Sequence, residues 1–270
     1  MRRKITRDDL AGVSETVLIP LHARAAETRR PDAIIRDPLS VRLVESMDYD
    51  FRPLDRAWKT RVAVAVRTEI LDEAVGTFIA RHPECAVVNL GAGLDTRFFR
   101  MDNGRLTWYE LDLPEIIRLR REFFPEGERY RYLAASVLDE DWFGRVGAAG
   151  AVLFVAEGLL MYLQEEVVRG LLARLARRFE GSEMLLEAMG PFFIRHGKLH
   201  ECIWRTGAVL SWSLRDGREL EGWDPAIRFV RQWDIFDRHP QRWRWLRFLA
   251  RIPAFKEAFG DRIVHLQLNS

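Results

Sequence analysis

The chain has 270 residues, of which 48% are hydrophobic, and this is enough for one substantial core. Its 42 basic and 40 acidic residues leave a net charge of +2, which gives no case for a nucleic acid or a membrane as a partner. Two cysteines cannot build a disulfide framework, and no apolar segment follows the basic residues Met1–Lys4. We therefore expect a single-domain, cytoplasmic protein without a membrane-spanning segment.

The first 60 residues are predicted to be mostly helical, with breaks. Residues 14–16 can cap a helix over Leu18–Glu27, and Asp37-Pro38 is predicted to begin another through Val41–Met47, since proline is favoured at the first helical position. Arg24 lies in the first of these helices. Composition alone leaves open whether it is a solvated surface residue or part of a site.

A long helix is predicted over Arg61–Arg81, where apolar residues recur at helical spacing and Thr60 can serve as the cap. Arg67 lies off the apolar line of this helix. Its planar guanidinium can reach over the edge of a sheet to a carboxylate and bind two oxygens at once. A salt bridge to Asp72 or to another neighbour is the alternative.

The segment Val87–Arg100 carries the pattern on which the whole prediction depends. A short apolar strand ends in Gly91–Gly93, and glycines permit backbone angles and close ligand approach that a side chain would prevent. The dinucleotide fingerprint requires a third glycine where Thr96 stands, and Asp95 puts negative charge where a phosphate would lie. The pattern favours a cationic or hydroxyl-rich ligand, and a tight turn without a ligand is the alternative.

Two acids mark the next predicted strand, Leu106–Leu113. Glu110 and Asp112 are two residues apart, so both point to one side of an extended chain. Asp112 follows the glycines by roughly 20 residues, the spacing at which an acid binds a ribose hydroxyl. The alternative is an exposed pair of carboxylates at a strand end.

A crossover helix over Pro114–Phe124 and a third strand over Arg129–Ala135 are predicted next. Asp139 follows that strand. It can accept a hydrogen bond from an exocyclic amine such as that of adenine, or it can cap the turn that contains Trp142. The solvated face of the crossover helix is predicted to carry Arg118, Arg120 and Arg121.

The apolar run from Ala151 is predicted to be a buried central strand that ends at Glu157-Gly158. Ligands of open α/β sheets bind at that end of the strands, and a buried carboxylate needs a partner. Capping of a helix is the alternative role for Glu157. A helix over Gln164–Phe179 and a fifth strand over Glu183–Met189 follow, and this alternation predicts a parallel, doubly wound sheet.

Residues 191–253 contain six of the nine tryptophans, which can pack in a core or line an apolar substrate cleft. His196 and His200 are four apart and can share a helix face. A metal site needs more ligands than two, so we expect no metal. Ile227–Phe236 and Ile263–Leu268 are predicted strands.

Three stretches, N-L-G-A-G-L-D-T-R-F-F-R, Y-E-L-D-L-P and A-E-G-L-L-M-Y-L, resemble the leucine carboxyl methyltransferase superfamily. More narrowly, they resemble its bacterial, polyketide-type (tetracenomycin-like) O-methyltransferases. The resemblance implies an α/β class I methyltransferase fold with a mostly parallel, seven-stranded sheet, helices on both faces and an antiparallel pair as the last two strands. It also implies a helical cover over 1–60, a cofactor-binding core over 61–190, a substrate cap over 191–253 and a closing helix and strand over 254–270.

The cofactor implied by the resemblance is S-adenosylmethionine, with S-adenosylhomocysteine as the product. Gly91 and Gly93 would lie beside its methionine part, Asp112 would hold the ribose and Asp139 would lie beside the adenine. Glu157 would lie near the methionine end. We count the neighbours of these residues with the cofactor site: Ala92, Asp95, Glu110, Leu113, Val137, Leu138 and Gly158.

Two arginines match basic positions that face the methionine carboxylate in the family. Arg67 matches directly. Arg24 stands where the eukaryotic members have a lysine, and its match requires a one-residue shift of the alignment.

The implied reaction is methyl transfer to an oxygen of a small molecule, which includes polyketide-like metabolites. A carboxylate acceptor needs no base, whereas a phenol or an alcohol must lose a proton. No catalytic base stands out, and this favours a carboxylate or an acidic phenol. The candidates for a base are His22, Tyr162, His196 and His200.

Three alternative functions remain at this point. One is carboxyl methylation of a protein C-terminus, another is a nicotinamide-dependent oxidoreductase, and the third is a homologue without catalytic activity. Thr96 in place of the third glycine disfavours the oxidoreductase.

Overall fold

The structure is a computed structural model that describes residues 15–147 and 150–269, with all their side chains except those of Lys198, Trp204 and Arg205. The helices of these ranges are α1 (Leu18–Thr28), α2 (Pro38–Ser46), α3 (Arg52–Asp55), α4 (Trp58–Arg81), α5 (Phe98–Met101), α6 (Pro114–Phe123), α7 (Glu165–Arg178), α8 (Pro191–Arg195), α9 (Ile203–Thr206), α10 (Leu246–Leu249) and α11 (Pro253–Phe259). The strands are β1 (Ala86–Leu90), β2 (Thr107–Asp112), β3 (Tyr130–Ala134), β4 (Val152–Ala156), β5 (Ser182–Met189), β6 (Ile227–Asp234) and β7 (Asp261–Leu268).

The seven strands form one sheet in the order β3-β2-β1-β4-β5-β7-β6. The pairs among β1 to β5 are parallel, and β7 runs antiparallel to both β5 and β6. This confirms the predicted fold class, including the antiparallel last pair. Each predicted strand is present, with ends that differ by one or two residues.

Hydrophobic cores lie on both faces of the sheet, because successive side chains of a strand point to opposite faces. Val87 belongs to the cluster that α4 covers, and its neighbour Val88 belongs to the cluster that α7 covers. All five residues of β1 are buried. Burial on both faces explains why the central strands read as continuous apolar runs rather than alternating ones.

The register of the central strands places three predicted site residues at one edge of the sheet. Leu90, the last residue of β1, pairs with Leu111 of β2 and with Ala156 of β4. Gly91, Asp112 and Glu157 each follow one of these three residues directly. Their common location is therefore a consequence of the parallel pairing.

The N-terminal helices pack over this edge, with α1 against both α2 and α4. As predicted, α2 begins at Pro38, and Asp37 caps it, since its Oδ1 accepts a hydrogen bond from the Ser40 N–H at 3.1 Å. The predicted cap residue Ser14 lies outside the described residues. In the part of the chain that the structure describes, no helix is both long enough and apolar enough to cross a membrane.

Two local predictions were wrong. Thr60 does not cap α4, which begins two residues earlier at Trp58, and the Thr60 N–H instead donates to Glu201 Oε2 at 3.1 Å. Arg120 does not lie on a solvated face, because its side chain is fully buried. Both residues bind groups outside their own helix: Thr60 binds Glu201, and Arg120 binds Glu110.

Candidate active site

A cavity of about 130 Å³ opens where β1 and β4 end, beneath α1 and beside α4. Four carboxylates and two guanidinium groups line it, together with the glycine turn. The charged lining residues are Arg24, Arg67, Asp95, Glu157, Glu187 and Asp261. This excess of acids suits a ligand that carries positive charge.

The glycine turn has the backbone that the sequence predicts. Gly91 and Gly93 have φ angles of +67° and +49°, which side chains rarely adopt. A Cβ on Gly91 would lie 2.9 Å from Leu159 Cδ1. The turn thus presents bare backbone to the cavity, which Ala92 also lines.

Asp112 lies at the end of β2 and is tied to the turn. Its Oδ2 accepts a hydrogen bond from the Gly93 N–H at 2.7 Å, and its Oδ1 accepts one from the Leu113 N–H at 2.7 Å. Burial raises the pKa of Asp112, against these two bonds. Leu113 is 45% exposed beside it. Neither residue lines the cavity.

Glu110 points into the protein and away from the cavity. It is fully buried, and its Oε1 accepts from Arg120 Nη2 at 2.7 Å while its Oε2 accepts from Asn89 at 2.8 Å. Burial raises the pKa of Glu110 to about 7, although the charge of Arg120 opposes this. The Arg120 side chain also donates to the carbonyl oxygens of Gly93 at 2.8 Å and Asp95 at 3.0 Å. Glu110 and Arg120 therefore support the glycine turn from beneath.

Arg97 organises the acids of the site, a role that the sequence did not indicate. Its buried guanidinium donates to Asp72 at 2.7 Å, to Asp95 at 2.6 Å and to Glu157 at 2.6 Å. Burial alone would raise the pKa of Asp95, but the charges of Arg97, Arg24 and Arg100 hold it well below its usual range. Asp95 is thus ionised and already paired within the protein.

Two alternatives were predicted for Arg67, a carboxylate across the sheet edge or a salt bridge to Asp72 or another neighbour. The structure shows the first. Its Nε donates to Glu157 Oε1 at 2.8 Å, and its Nη1 donates to Glu187 Oε1 at 2.6 Å. The other oxygen of Glu187 accepts from the Gly158 N–H at 2.7 Å. The predicted need of Glu157 for a partner is met by two arginines.

Arg24 is buried rather than solvated, with 3% of its surface exposed. Its Nε donates to Asp37 Oδ2 at 3.1 Å, and its Nη2 donates to the Leu94 carbonyl oxygen at 2.8 Å. It lines the cavity together with Glu157 and Gly158.

The segment after β3 lies outside the cavity wall. Asp139 is exposed, and its Oδ2 accepts from the Ser136 N–H at 3.1 Å, so it stabilises its own turn. Val137 is buried in the core, and Leu138 is half-buried.

A second cavity, of about 400 Å³, adjoins the first and has mostly apolar walls. The two cavities share the lining residues Thr60, Ala63, His200 and Asp261. Among the tryptophans over 191–253, Trp243 and Trp245 line this second cavity, whereas Trp212 is buried in the core. The aromatic residues of the wall are Phe192, Phe193, Phe236, Trp243, Trp245, Phe255 and Phe259.

The four candidate bases have different positions. Tyr162 lines the first cavity, and burial raises its pKa to about 12. His200 lines both cavities, and burial lowers its pKa to about 4. His196 is exposed and stacks on Phe192, and His22 pairs with Asp55 at 3.1 Å; neither lines the two cavities.

The predicted shared helix face of His196 and His200 was wrong, because α8 ends at Arg195 and a 3₁₀ turn over Gly197–Leu199 separates the two rings. Among the described residues, no group of three or more His, Cys, Asp or Glu side chains is arranged to hold a metal ion.

Three features fit S-adenosylmethionine. The bare glycine turn admits a ligand against the backbone, Asp112 is bonded to that turn beside the exposed Leu113, and the acid-rich wall suits a sulfonium and an ammonium group. The cavity is large enough for only part of such a molecule.

Comparisons with known proteins agree with this fit. The sequence model of the family described as leucine carboxyl methyltransferase matches residues 18–176. The tetracenomycin polyketide synthesis O-methyltransferase TcmP of Streptomyces glaucescens is 38% identical to this chain, over 84% of this chain and 85% of its own length. The S-adenosyl-L-methionine-dependent methyltransferase dpfgK of Gibberella zeae is 30% identical, over 82% of this chain and 81% of its own length.

Solved structures share the fold at low sequence identity. A DUF574 family protein from Streptomyces avermitilis superposes with a TM-score of 0.58 at 14% identity, over 92% of this chain and 97% of its own. A geranyl diphosphate methyltransferase in complex with S-adenosylmethionine superposes with a TM-score of 0.50 at 16% identity, over 79% of this chain and 91% of its own. The chain belongs to the leucine carboxyl methyltransferase family and is a methyltransferase that depends on S-adenosylmethionine.

Proposed function

We propose that the protein methylates an oxygen, either a carboxylate or a phenolic hydroxyl, of an aromatic small molecule such as a polyketide-like metabolite. The observation that carries this proposal is the second cavity, whose mostly apolar walls include seven Phe and Trp side chains and which shares four lining residues with the first. Its volume of about 400 Å³ lies in the range of small-molecule sites. The similarity to a polyketide O-methyltransferase supports the same acceptor class.

Part of the cofactor would lie in the first cavity, and the rest would extend over Asp112 and Leu113, which lie outside it. Asp112 would accept hydrogen bonds from the ribose hydroxyls, and Leu113 would lie against the adenine ring. Arg24 and Arg67 would face the methionine carboxylate. S-adenosylmethionine supplies a methyl group on a sulfonium centre, whose bond to the methyl breaks as an acceptor oxygen attacks in line.

The main work of the protein in this reaction would be alignment and exclusion of water. The glycine turn fixes one end of the site and the aromatic cavity fixes the other. Thr60, Ala63, His200 and Asp261 line both cavities, so the methyl group would pass between them. The residues over 1–60 would serve as the cover of this site, and those over 191–253 as the larger part of the acceptor wall.

An acceptor screen tests this function. The protein would be incubated with S-adenosylmethionine and either hydroxylated naphthoic acids or a peptide with a free C-terminal leucine, with mass detection of S-adenosylhomocysteine and of the methylated product. We expect turnover of the aromatic acids alone. Methylation of the peptide alone would contradict the small-molecule acceptor and favour carboxyl methylation of a protein.

A cavity-filling variant makes the screen specific to the second cavity. Leu249 lines that cavity and not the first, so Leu249→Trp should abolish turnover of the aromatic acids and leave the affinity for S-adenosylhomocysteine unchanged. Val209→Trp, at a residue that is 73% exposed, is the matched control and should be neutral.

A further inference from the structure

His200 lies at the junction of the two cavities, and the backbone fixes the direction of its ring. It follows the 3₁₀ turn over Gly197–Leu199 and lines both cavities. Its Nδ1 accepts a hydrogen bond from the Cys202 N–H at 3.3 Å and another from the Ile203 N–H at 3.2 Å. These two groups lie at the start of α9, so one edge of the imidazole is held against that helix.

These two bonds decide which ring nitrogen of His200 carries the proton. A nitrogen that accepts from N–H groups carries no proton of its own, so the neutral ring has its proton on Nε2. Burial, together with the charges of Lys59 and Arg67, lowers the pKa of His200 to about 4. The ring is therefore neutral at pH 7, and its Nε2–H is a hydrogen-bond donor that has no lone pair with which to take up a proton.

The Nε2–H of His200 is a donor without a partner. The hydrogen bonds of the ring to the described residues are the two at Nδ1. Nε2 is also absent from the set of polar atoms that are both unpaired and shielded from solvent, a set that includes Asp261 Oδ1. Because the two ring nitrogens point in different directions, Nε2 is directed away from α9. An accessible donor is thus available to a ligand at the junction.

The other three residues that line both cavities do not offer such a donor. The hydroxyl of Thr60 donates to Glu201 Oε2 at 3.4 Å, and Ala63 has no polar side chain. The unpaired Oδ1 of Asp261 is shielded from solvent. His200 is therefore the shared residue with a donor that can reach an acceptor lying between the cavities.

From this geometry we propose that His200 binds the acceptor, with its Nε2–H donating a hydrogen bond to the acceptor group and thereby aiming one oxygen at the methyl group. His200 is then a fixed donor and not a base, in contrast to its place among the candidate bases in the sequence. This inference deepens the proposed function and rests on it, because the acceptor would lie in the second cavity.

The charges around His200 tolerate an acceptor that arrives with a negative charge. Lys59, which lines the second cavity, forms an ion pair with Glu201 at 3.3 Å. Burial raises the pKa of Asp261 to about 8, and the charge of Glu187 adds to this increase. Asp261 is thus mostly protonated at neutral pH and does not repel an anion.

A donor at this position favours an acceptor that needs no base. One oxygen of such an acceptor accepts from His200, and the other forms its bond to the methyl group. The bond between sulfur and methyl breaks, and its electron pair stays on sulfur. The positive charge of the sulfonium and the negative charge of the acceptor disappear together, so no proton has to leave and no further reactant is required.

A pair of probes tests the role of His200 in binding, independently of turnover. Equilibrium dialysis in the presence of S-adenosylhomocysteine would measure the affinities of 2-naphthoate and of 2-methylnaphthalene, which has no oxygen. At about pH 7.5 the naphthoate is fully ionised. Loss of a hydrogen bond to its carboxylate should weaken 2-naphthoate binding by about 10- to 100-fold in His200→Asn. Binding of 2-methylnaphthalene and of S-adenosylhomocysteine should be unchanged.

Two variants of His200 separate its two nitrogens. His200→Asn keeps an acceptor for the N–H groups of α9 but is too short to replace the Nε2 donor. His200→Gln places an amide donor near the position of Nε2, so it should recover part of the affinity for 2-naphthoate. His196→Asn is the matched control, because His196 is exposed and lines neither cavity, and it should change neither affinity.

Nitrogen NMR of the complex with S-adenosylhomocysteine gives a spectroscopic readout. The signals of the His200 ring, assigned by their loss in His200→Gln, should show the neutral form with the proton on Nε2. They should show no titration between about pH 5.5 and 7.5, the range in which an ordinary histidine changes its charge. The charged groups near the ring, Lys59, Arg67, Glu201 and Asp261, are unchanged in this comparison.

The outcomes distinguish the inference from the function on which it rests. Full affinity for 2-naphthoate in His200→Asn would overturn the role of His200, and so would a proton on Nδ1. Equal weakening of both naphthalenes in His200→Asn would also overturn it, since it would mean that His200 only shapes the cavity. A wild type that binds S-adenosylhomocysteine but neither naphthalene would refute the aromatic acceptor itself, and the inference with it.

Discussion

Arg97 is the residue on which the electrostatics of the site depend. It neutralises three carboxylates, from α4, from the glycine turn and from the end of β4, at 2.6 to 2.7 Å. An arginine suits this position because its planar fork holds several oxygens in fixed directions. With Arg67 it leaves Glu157 paired with two arginines.

Arg97→Met should destabilise the fold by about 3–5 kcal/mol, because it leaves buried carboxylates without a counter-charge. Arg81→Met is the matched control. It removes the ion pair between Arg81, whose side chain is 48% exposed, and Glu183. This change should lower the free energy of unfolding by less than about 1 kcal/mol. Urea unfolding followed by circular dichroism measures both. Equal losses in the two variants would contradict the central position of Arg97.

The sequence located the individual residues of the site better than it located their partners. Asp112 ends β2 and Glu157 follows β4, so their positions could be predicted from strand ends. The pairing of Glu110 with Arg120 could not, because Arg120 lies on a helix that looks solvated in sequence.

At the scale of elements, the turn after β1 is the most constrained segment of the site. Its glycines have positive φ angles, its N–H groups donate to Asp112 and to the Leu111 carbonyl oxygen, and its carbonyl oxygens accept from Arg120. The strand and the turn were predictable, since apolar periodicity and glycine chemistry are local properties. The length of the next helix, α5, was not predictable. This helix ends after one turn, and Asp102, directly after it, accepts a hydrogen bond from Arg129, which is distant in the sequence.

Gly91→Ala should cost about 1–2 kcal/mol for the positive φ angle alone, and more for the contact with Leu159 at 2.9 Å. It should also weaken binding of S-adenosylhomocysteine, because the turn must shift. Gly76→Ala is the matched control in the interior of α4, where a Cβ meets nothing within 4 Å, and it should stabilise the fold by about 0.5–1 kcal/mol. Full affinity in a stable Gly91→Ala protein would exclude the turn from the site.

For the whole molecule, the sheet topology accounts for the placement of both cavities. The parallel strands bring the glycine turn, Asp112 and Glu157 to one edge, and the antiparallel β7 brings Asp261 to the same edge from the other direction. The number of strands and the antiparallel last pair followed from the family resemblance rather than from composition. The aromatic cavity was only partly predictable, because tryptophans at similar spacing are found in the core and in the cavity wall alike.

Calorimetric titration with S-adenosylhomocysteine and with NADH tests the site most directly, with the wild type, Asp112→Ala and the control Asp141→Ala, which removes an exposed acid. We predict micromolar binding of S-adenosylhomocysteine and none of NADH to the wild type. Loss of the bonds to the ribose should weaken binding by about 10- to 100-fold in Asp112→Ala and not in Asp141→Ala. Unchanged affinity in Asp112→Ala, or binding of NADH in place of S-adenosylhomocysteine, would contradict the account.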